Sequence, residues 1–260
     1  MASDPSSPGA STPQPPAEKP SAPPVNILSS PLARVYSIVH PALLLALGAT
    51  QFEPLVANPT KGLLTTLPWL TLIQISYVII CLPPQGQRRR ARPPRASRAL
   101  AHPDLPRAMR STASPALLAL ALTFVLATPI LAVLLVLFGA PLTTHNAETV
   151  LGAAHMAVLS ATALIYTHGL DRSVWNEVWG IARPADAVWG SALGTGLGAW
   201  FGAIPIPLDW DRPWQAFPIT ILTGAYIGYA VGSFVSRTPL VFGKRIVFTA
   251  DADDDEKKTN

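Results

Sequence analysis

Asp209 and Asp211 stand two residues apart in the stretch "IPIPLDWDRPWQAFP", residues 204–218. Carboxylates at i and i+2 of an extended chain point to one side, and such a pair can hold Mg²⁺ beside substrate phosphates. A working phosphotransferase needs more: further carboxylates or histidines, and a nucleophile or an activated water. Glu53, His145 and Glu148 are the only other candidates in segments expected on the same side, and His145 with Glu148 makes one thin polar patch. His155, Tyr166 and His168 are 11 and 2 residues apart and form no one-faced ligand set, so a packed, hydrogen-bonding role is expected for them. Gln74 and Tyr77 read as interhelical hydrogen-bonding groups, and His40, before Pro41, as an interfacial residue. The sequence holds no HExxH, no phosphate loop and no nucleophile–base pair. Catalysis has little to stand on.

The elements that must position these residues are apolar. Of 260 residues, 49% are hydrophobic and only 13% charged, about half the charged share of an ordinary soluble domain. A membrane-crossing helix needs about 20 mostly apolar residues. Six segments qualify, at about 34–52, 62–82, 115–140, 150–168, 187–204 and 218–236, so the expected fold is all-α and polytopic. Pro129 is expected to kink the third span. Residues 1–31, rich in proline and serine, read as a disordered cytosolic tail with no cleavable signal peptide. Residues 32–236 form the membrane domain and 237–260 a C-terminal tail. Cys81 is the single cysteine, so no disulfide framework exists.

Charge placement sets the orientation. Within the loop 85–112, the run "QGQRRRARPPRASRALAHPDLPRAMR" carries eight arginines against one aspartate, a net charge of +7. Short loops with such an excess stay cytosolic. Both termini are then cytosolic, and residues 205–217 are luminal. The loop lacks the interleaved aromatics of a nucleic-acid binder, so no nucleic-acid partner is expected. The chain ends in "KKTN", which resembles the cytosolic dilysine signal for retrieval to the endoplasmic reticulum.

Small residues recur where the apolar runs are densest. Gly190, Gly194, Gly198 and Gly202 repeat every four residues in the fifth span, and Gly224, Gly228 and Gly232 in the sixth. That spacing lays each set along one helical stripe and lets two backbones approach closely. Two arrangements are open: the stripes pack on each other as a hairpin, or one of them faces a different protein. The stretch 204–218 caps this hairpin. Pro205, Pro207, Pro213 and Pro218 stiffen it, and Trp200, Trp210 and Trp214 suit a membrane–water boundary. Arg212 has Asp209 and Asp211 within reach as ion-pair partners.

From Gly198 to Ile219 the sequence "GAWFGAIPIPLDWDRPWQAFPI" resembles the signature of the PIG-F family of glycosylphosphatidylinositol (GPI) anchor biosynthesis proteins. The match is dense over about residues 190–235, where Asp209, Trp210, Asp211, Arg212, Pro213, Trp214 and Gln215 follow the glycine-rich span. Elsewhere it rests on the number of spans and on the polar "HNAET" between the third and fourth. The resemblance implies a small endoplasmic-reticulum subunit without catalytic activity or cofactor of its own. Its expected partners are the large membrane-bound enzymes that transfer ethanolamine phosphate from phosphatidylethanolamine to mannoses of the GPI precursor. Membrane lipid, including the GPI precursor itself, is a further candidate partner. Two alternatives stand beside this reading: a membrane phosphotransferase using Asp209 and Asp211 on Mg²⁺, and a small lipid transporter, which the sparse intramembrane charge disfavours.

Overall fold

The computed structural model describes residues 23–85, 105–208 and 210–246, with the backbone alone for residues 105–111. The arginine-rich run 86–104, Asp209 and the terminal lysines lie outside the described residues, as do residues 1–22 of the proline-rich tail.

The described chain is helical, with no strand among the described residues: α1 (Pro31–Thr50), α2 (Phe52–Ala57), α3 (Pro59–Cys81), α4 (Leu105–Leu122), α5 (Thr128–Leu137), α6 (Asn146–His168), α7 (Arg172–Trp179), α8 (Ala187–Ala203) and α9 (Ile219–Val235). Local chemistry sets several starts. Ser30 accepts from Ala33 N–H ahead of Pro31, and Asn58 from Lys61 N–H ahead of Pro59. In both, a side-chain cap satisfies a free donor, and proline sits where its missing N–H costs nothing.

Four helices are long and apolar enough to cross a membrane: α1, α3, Thr112–Leu137 and α6. The helices α8 and α9 are apolar but only 17 residues each. Between α4 and α5 the helix widens into a π turn, Thr123–Ala127, where Thr128 N–H donates to Thr123 O. Pro129, the expected site of a kink, lies just beyond it, and the wider turn absorbs the misfit of a residue that cannot donate.

The middle of the bundle is α6. In its apolar window 83% of the residues are buried, against 11% for Thr112–Leu137, which lies on the outside. Around α6 stand α3, α4, α5, α8 and α9, while α1 packs on α3 and α9. One buried cluster, with Tyr77, Val78, Cys81, Leu164 and Tyr166, fills the end of the bundle near the chain termini. A second, with Leu44, Leu70, Leu159, Leu222 and Tyr229, fills the rest.

Residues 23–30 are packed, although they belong to the run expected to be a tail. Val25 is buried and its N–H donates to Asp186 Oδ2 at 2.8 Å, while Leu28 N–H donates to Cys81 O at 2.9 Å. The other terminus docks beside them. Ala185 N–H donates to Lys244 O, and Gly243 N–H to Ala185 O. Residues 23–30 and 243–244 therefore lie on one side of the bundle, opposite the 204–218 link.

Candidate interaction site: the glycine seam and its cap

The two glycine rows face each other in antiparallel register. A Cβ built on Gly194 would strike Gly228 O and stand 3.0 Å from Gly232 Cα; one on Gly198 would strike Gly224 O and stand 2.9 Å from Gly228 Cα. Gly190 meets Gly232 and Ser236, and Gly202 meets the Thr220 carbonyl. The reciprocal contacts hold from Gly224, Gly228 and Gly232. Backbone touches backbone at every step, a distance at which dispersion and Cα–H···O contacts accumulate. Gly196, off the stripe, has nothing within 4 Å of its would-be Cβ. Of the two arrangements open from the spacing, this one occupies both rows within the chain.

The link closing the hairpin is organised by one buried residue. Gln215 donates from Nε2 to Pro205 O at 2.8 Å and accepts from Arg212 N–H at 3.1 Å. It thereby ties the start of the link to its end. Short 3₁₀ turns, Ile206–Leu208 and Pro213–Gln215, contain Pro207 and Pro213. Pro205 is half-buried, and Pro218, buried, follows a cis peptide bond at Phe217. Trp210 and Trp214 meet edge to face with ring centroids 5.9 Å apart. Trp210 is exposed, as are Trp200 and Phe201 on the outer flank of α8.

Two charged residues of the stretch are described. Asp211 and Arg212 are exposed, and no ion pair joins them among the described residues. Asp211 holds a φ of +50°, a left-handed conformation that aspartate tolerates through its short polar side chain. Among the described residues no three His, Cys, Asp or Glu side chains come together. The imagined partner of Asp211 in a metal pair, Asp209, lies outside them.

Other polar residues form three groups. His40, expected at the interface, is fully buried: its ring stacks on Tyr77 at 4.2 Å and meets Tyr229 edge-on at 5.6 Å. Arg237 donates to Ser37 O at 2.6 Å and to Tyr77 Oη at 3.4 Å. Its guanidinium thus pins α1 and α3 to the end of α9. Near the chain termini, buried Arg183 approaches Glu177 at 3.5 Å and Asp186 at 3.9 Å. Asp186 also accepts from Val188 N–H and Trp189 N–H, capping α8, and from Val25 N–H. Burial pushes its carboxyl above the ordinary range, against these donors and the nearby guanidinium. Nothing in the sequence pattern marks this cluster, because its members are joined only by the fold. At the opposite end Glu148 accepts from Thr60 Oγ1 at 2.6 Å, and His145 is exposed.

The family model "GPI biosynthesis protein family Pig-F" matches residues 39–237, from within α1 to just beyond α9. The chain belongs to the PIG-F family. Relatives within or close to this family span kingdoms. An Aspergillus fumigatus protein named glycosylphosphatidylinositol anchor biosynthesis protein 11 is 59% identical, covering 94% of this chain and 93% of its own length. A Neurospora crassa protein of the same name is 42% identical over 85% of this chain and 80% of its own. The human protein named GPI ethanolamine phosphate transferase, stabilizing subunit, is 36% identical over 40% of this chain and 49% of its own. No solved structure matches this PIG-F chain.

Proposed function

We propose that this chain is the non-catalytic stabilising subunit of endoplasmic-reticulum GPI ethanolamine-phosphate transferase complexes. The observation that carries this reading is a family match from within α1 to just beyond α9, beside a human relative that bears the name of a stabilizing subunit. The polar inventory supports it: the stretch 204–218 is tied by Gln215 and proline, while Asp211 and Arg212 are exposed and form no ion pair among the described residues.

In this reading α8 and α9 cross the membrane with the four longer helices, giving six spans. The arginine-rich loop and both termini are cytosolic, residues 205–217 are luminal, and the terminal lysines act in retrieval. Because each glycine row is occupied by the other, the partner's helices dock on a different surface. The outer flank of α8 and the cap, with Trp200, Phe201 and Trp210 exposed, is the surface we assign. Aromatic anchors of this kind dominate interface energetics.

Affinity purification of the tagged chain in mild detergent, with identification of the co-purifying chains, tests the proposal. A large membrane-bound ethanolamine-phosphate transferase should co-purify, and should fall in abundance when this chain is depleted. Recovery of the chain alone with transfer activity of its own would overturn the reading in favour of the Asp209/Asp211 enzyme.

A further inference from the structure

A groove of about 260 Å³ opens between α1, α3, α6 and α9, in the half of the bundle nearer the 204–218 link. Leu63, Leu222 and Gly48 help to line it, and Gly48 keeps it wide: a Cβ there would already touch the Tyr226 ring at 3.6 Å. Its mouth faces outward, between Leu45 and Ile227, both exposed. No charged side chain lines it.

Two buried polar atoms on its wall lack partners. His155 is 1% exposed, and its Nδ1 lies 2.8 Å from Leu151 O. A carbonyl only accepts, so Nδ1 carries the proton and Nε2 of the neutral ring is left as an acceptor. That Nε2 has no hydrogen-bond partner, and neither has the Tyr226 hydroxyl, on a side chain 6% exposed. A buried polar group without a partner costs about 1–3 kcal/mol, and in a bilayer core there is no bulk water to relieve it.

We infer that this groove binds a neutral lipid carrying one free hydroxyl, of the diacylglycerol type, with the hydroxyl between His155 and Tyr226 and an acyl chain along the apolar wall. A hydroxyl is the group that satisfies both atoms at once. It donates to His155 Nε2 and accepts from Tyr226 O–H. A phosphate cannot take this place: it would bring charge to a wall without a cation, and an ionised phosphodiester has no proton for Nε2. Removal of a phosphorylated head group from a glycerophospholipid exchanges its glycerol P–O bond for a new P–O bond on the acceptor. The glycerol oxygen leaves with a proton as a free hydroxyl, so under the proposed function the groove is positioned to receive that product. This last link alone rests on the proposed function; the ligand class rests on the groove.

The test uses the full chain in phosphatidylcholine nanodiscs with a diacylglycerol bearing a photoreactive acyl chain. Crosslinks should fall in α1 and α9 and be displaced by excess diacylglycerol, but not by its 3-O-methyl ether or by phosphatidic acid. Tyr226→Phe removes one oxygen and keeps the ring, and should lower labelling roughly 2- to 10-fold, the worth of one hydrogen bond, with no loss of melting temperature. His155→Leu should lower it at least as far. Equal competition by the methyl ether or by a sterol, or wild-type labelling of Tyr226→Phe, would overturn the inference. Because the transferase is absent from this assay, failure here leaves the stabilising-subunit reading untouched, and failed co-purification leaves this site untouched.

Discussion

Gly228→Ala is the smallest change that tests the seam. The new carbon would stand 2.8 Å from Gly198 Cα and 2.9 Å from Gly194 C, besides striking the Gly194 oxygen. Ordinary contact begins at 3.4 Å, so the two helices must part by at least about 0.6 Å for the first of these and further for the oxygen. All three neighbours are backbone and cannot turn aside as a side chain would. Overpacking of this kind costs about 1–3 kcal/mol. Gly196→Ala is the matched control, since its Cβ meets nothing within 4 Å; it should gain up to about 1 kcal/mol from the better helix propensity of alanine. The propensity gain is common to both variants, which share composition and hydropathy, so they should differ by the overpacking cost, roughly 1–3 kcal/mol, in the stability of the lone subunit. Denaturant titration in mixed micelles, read by tryptophan fluorescence, measures that difference. Leucine at Gly228 should be worse than alanine, and leucine for exposed Val231 should be nearly silent. Equal midpoints for Gly228→Ala and Gly196→Ala would refute backbone contact as the source of cohesion.

Three further outcomes are expected. Gln215→Leu leaves the Pro205 carbonyl and Arg212 N–H without their partner, at a cost of about 1–3 kcal/mol, and should expose residues 204–218 to limited proteolysis; an unchanged digestion pattern would contradict the staple. Asp186 has a folded pKa raised by burial above its unfolded value, so its contribution is fully present below the unfolded pKa and is lost as pH rises through the folded one. The melting temperature of the wild type relative to Asp186→Asn should therefore fall as pH increases from about 4, and a relative rise would show that the hydrogen bonds outweigh burial. Finally, Trp210→Cys in a Cys81→Ala background should react with an impermeant maleimide only after sealed microsomes are opened; labelling of intact, cytosol-side-out vesicles would invert the proposed orientation.

The readability of this chain followed the range of the interactions involved. The helices were legible because twenty-residue apolar runs announce themselves, and so were the glycine stripes, because period four within such a run is a local signal. Which surface each stripe meets was not local: the register of Gly194 on Gly228 depends on the turn between them. Gln215 could be singled out only as part of a family signature, since its acceptor at Pro205 is ten residues away. His40 was misplaced for the same reason: its burial depends on Tyr77, Tyr229 and Arg237, residues from other helices. Residues 23–30 escaped notice because a proline-rich run gives no core periodicity, yet Val25 N–H finds Asp186 across 161 positions. The short helix α7 went unassigned, because eight residues flanked by loops are too few for a period to stand out.

The length of α8 and α9 carries a mechanical consequence. Seventeen residues at a 1.5 Å rise reach about 25 Å, against a hydrocarbon thickness of roughly 27 Å in the endoplasmic reticulum and 32–33 Å at the plasma membrane. If, as proposed, the pair crosses the membrane, being sewn together backbone to backbone it cannot stretch to meet a thicker bilayer, so the lipid must pinch in around it. That elastic misfit is small in the thinnest membranes and grows with each ångström, which favours early compartments independently of any address read by a receptor. It also draws in company: two proteins that each dimple the bilayer deform less lipid sharing one hollow than keeping two.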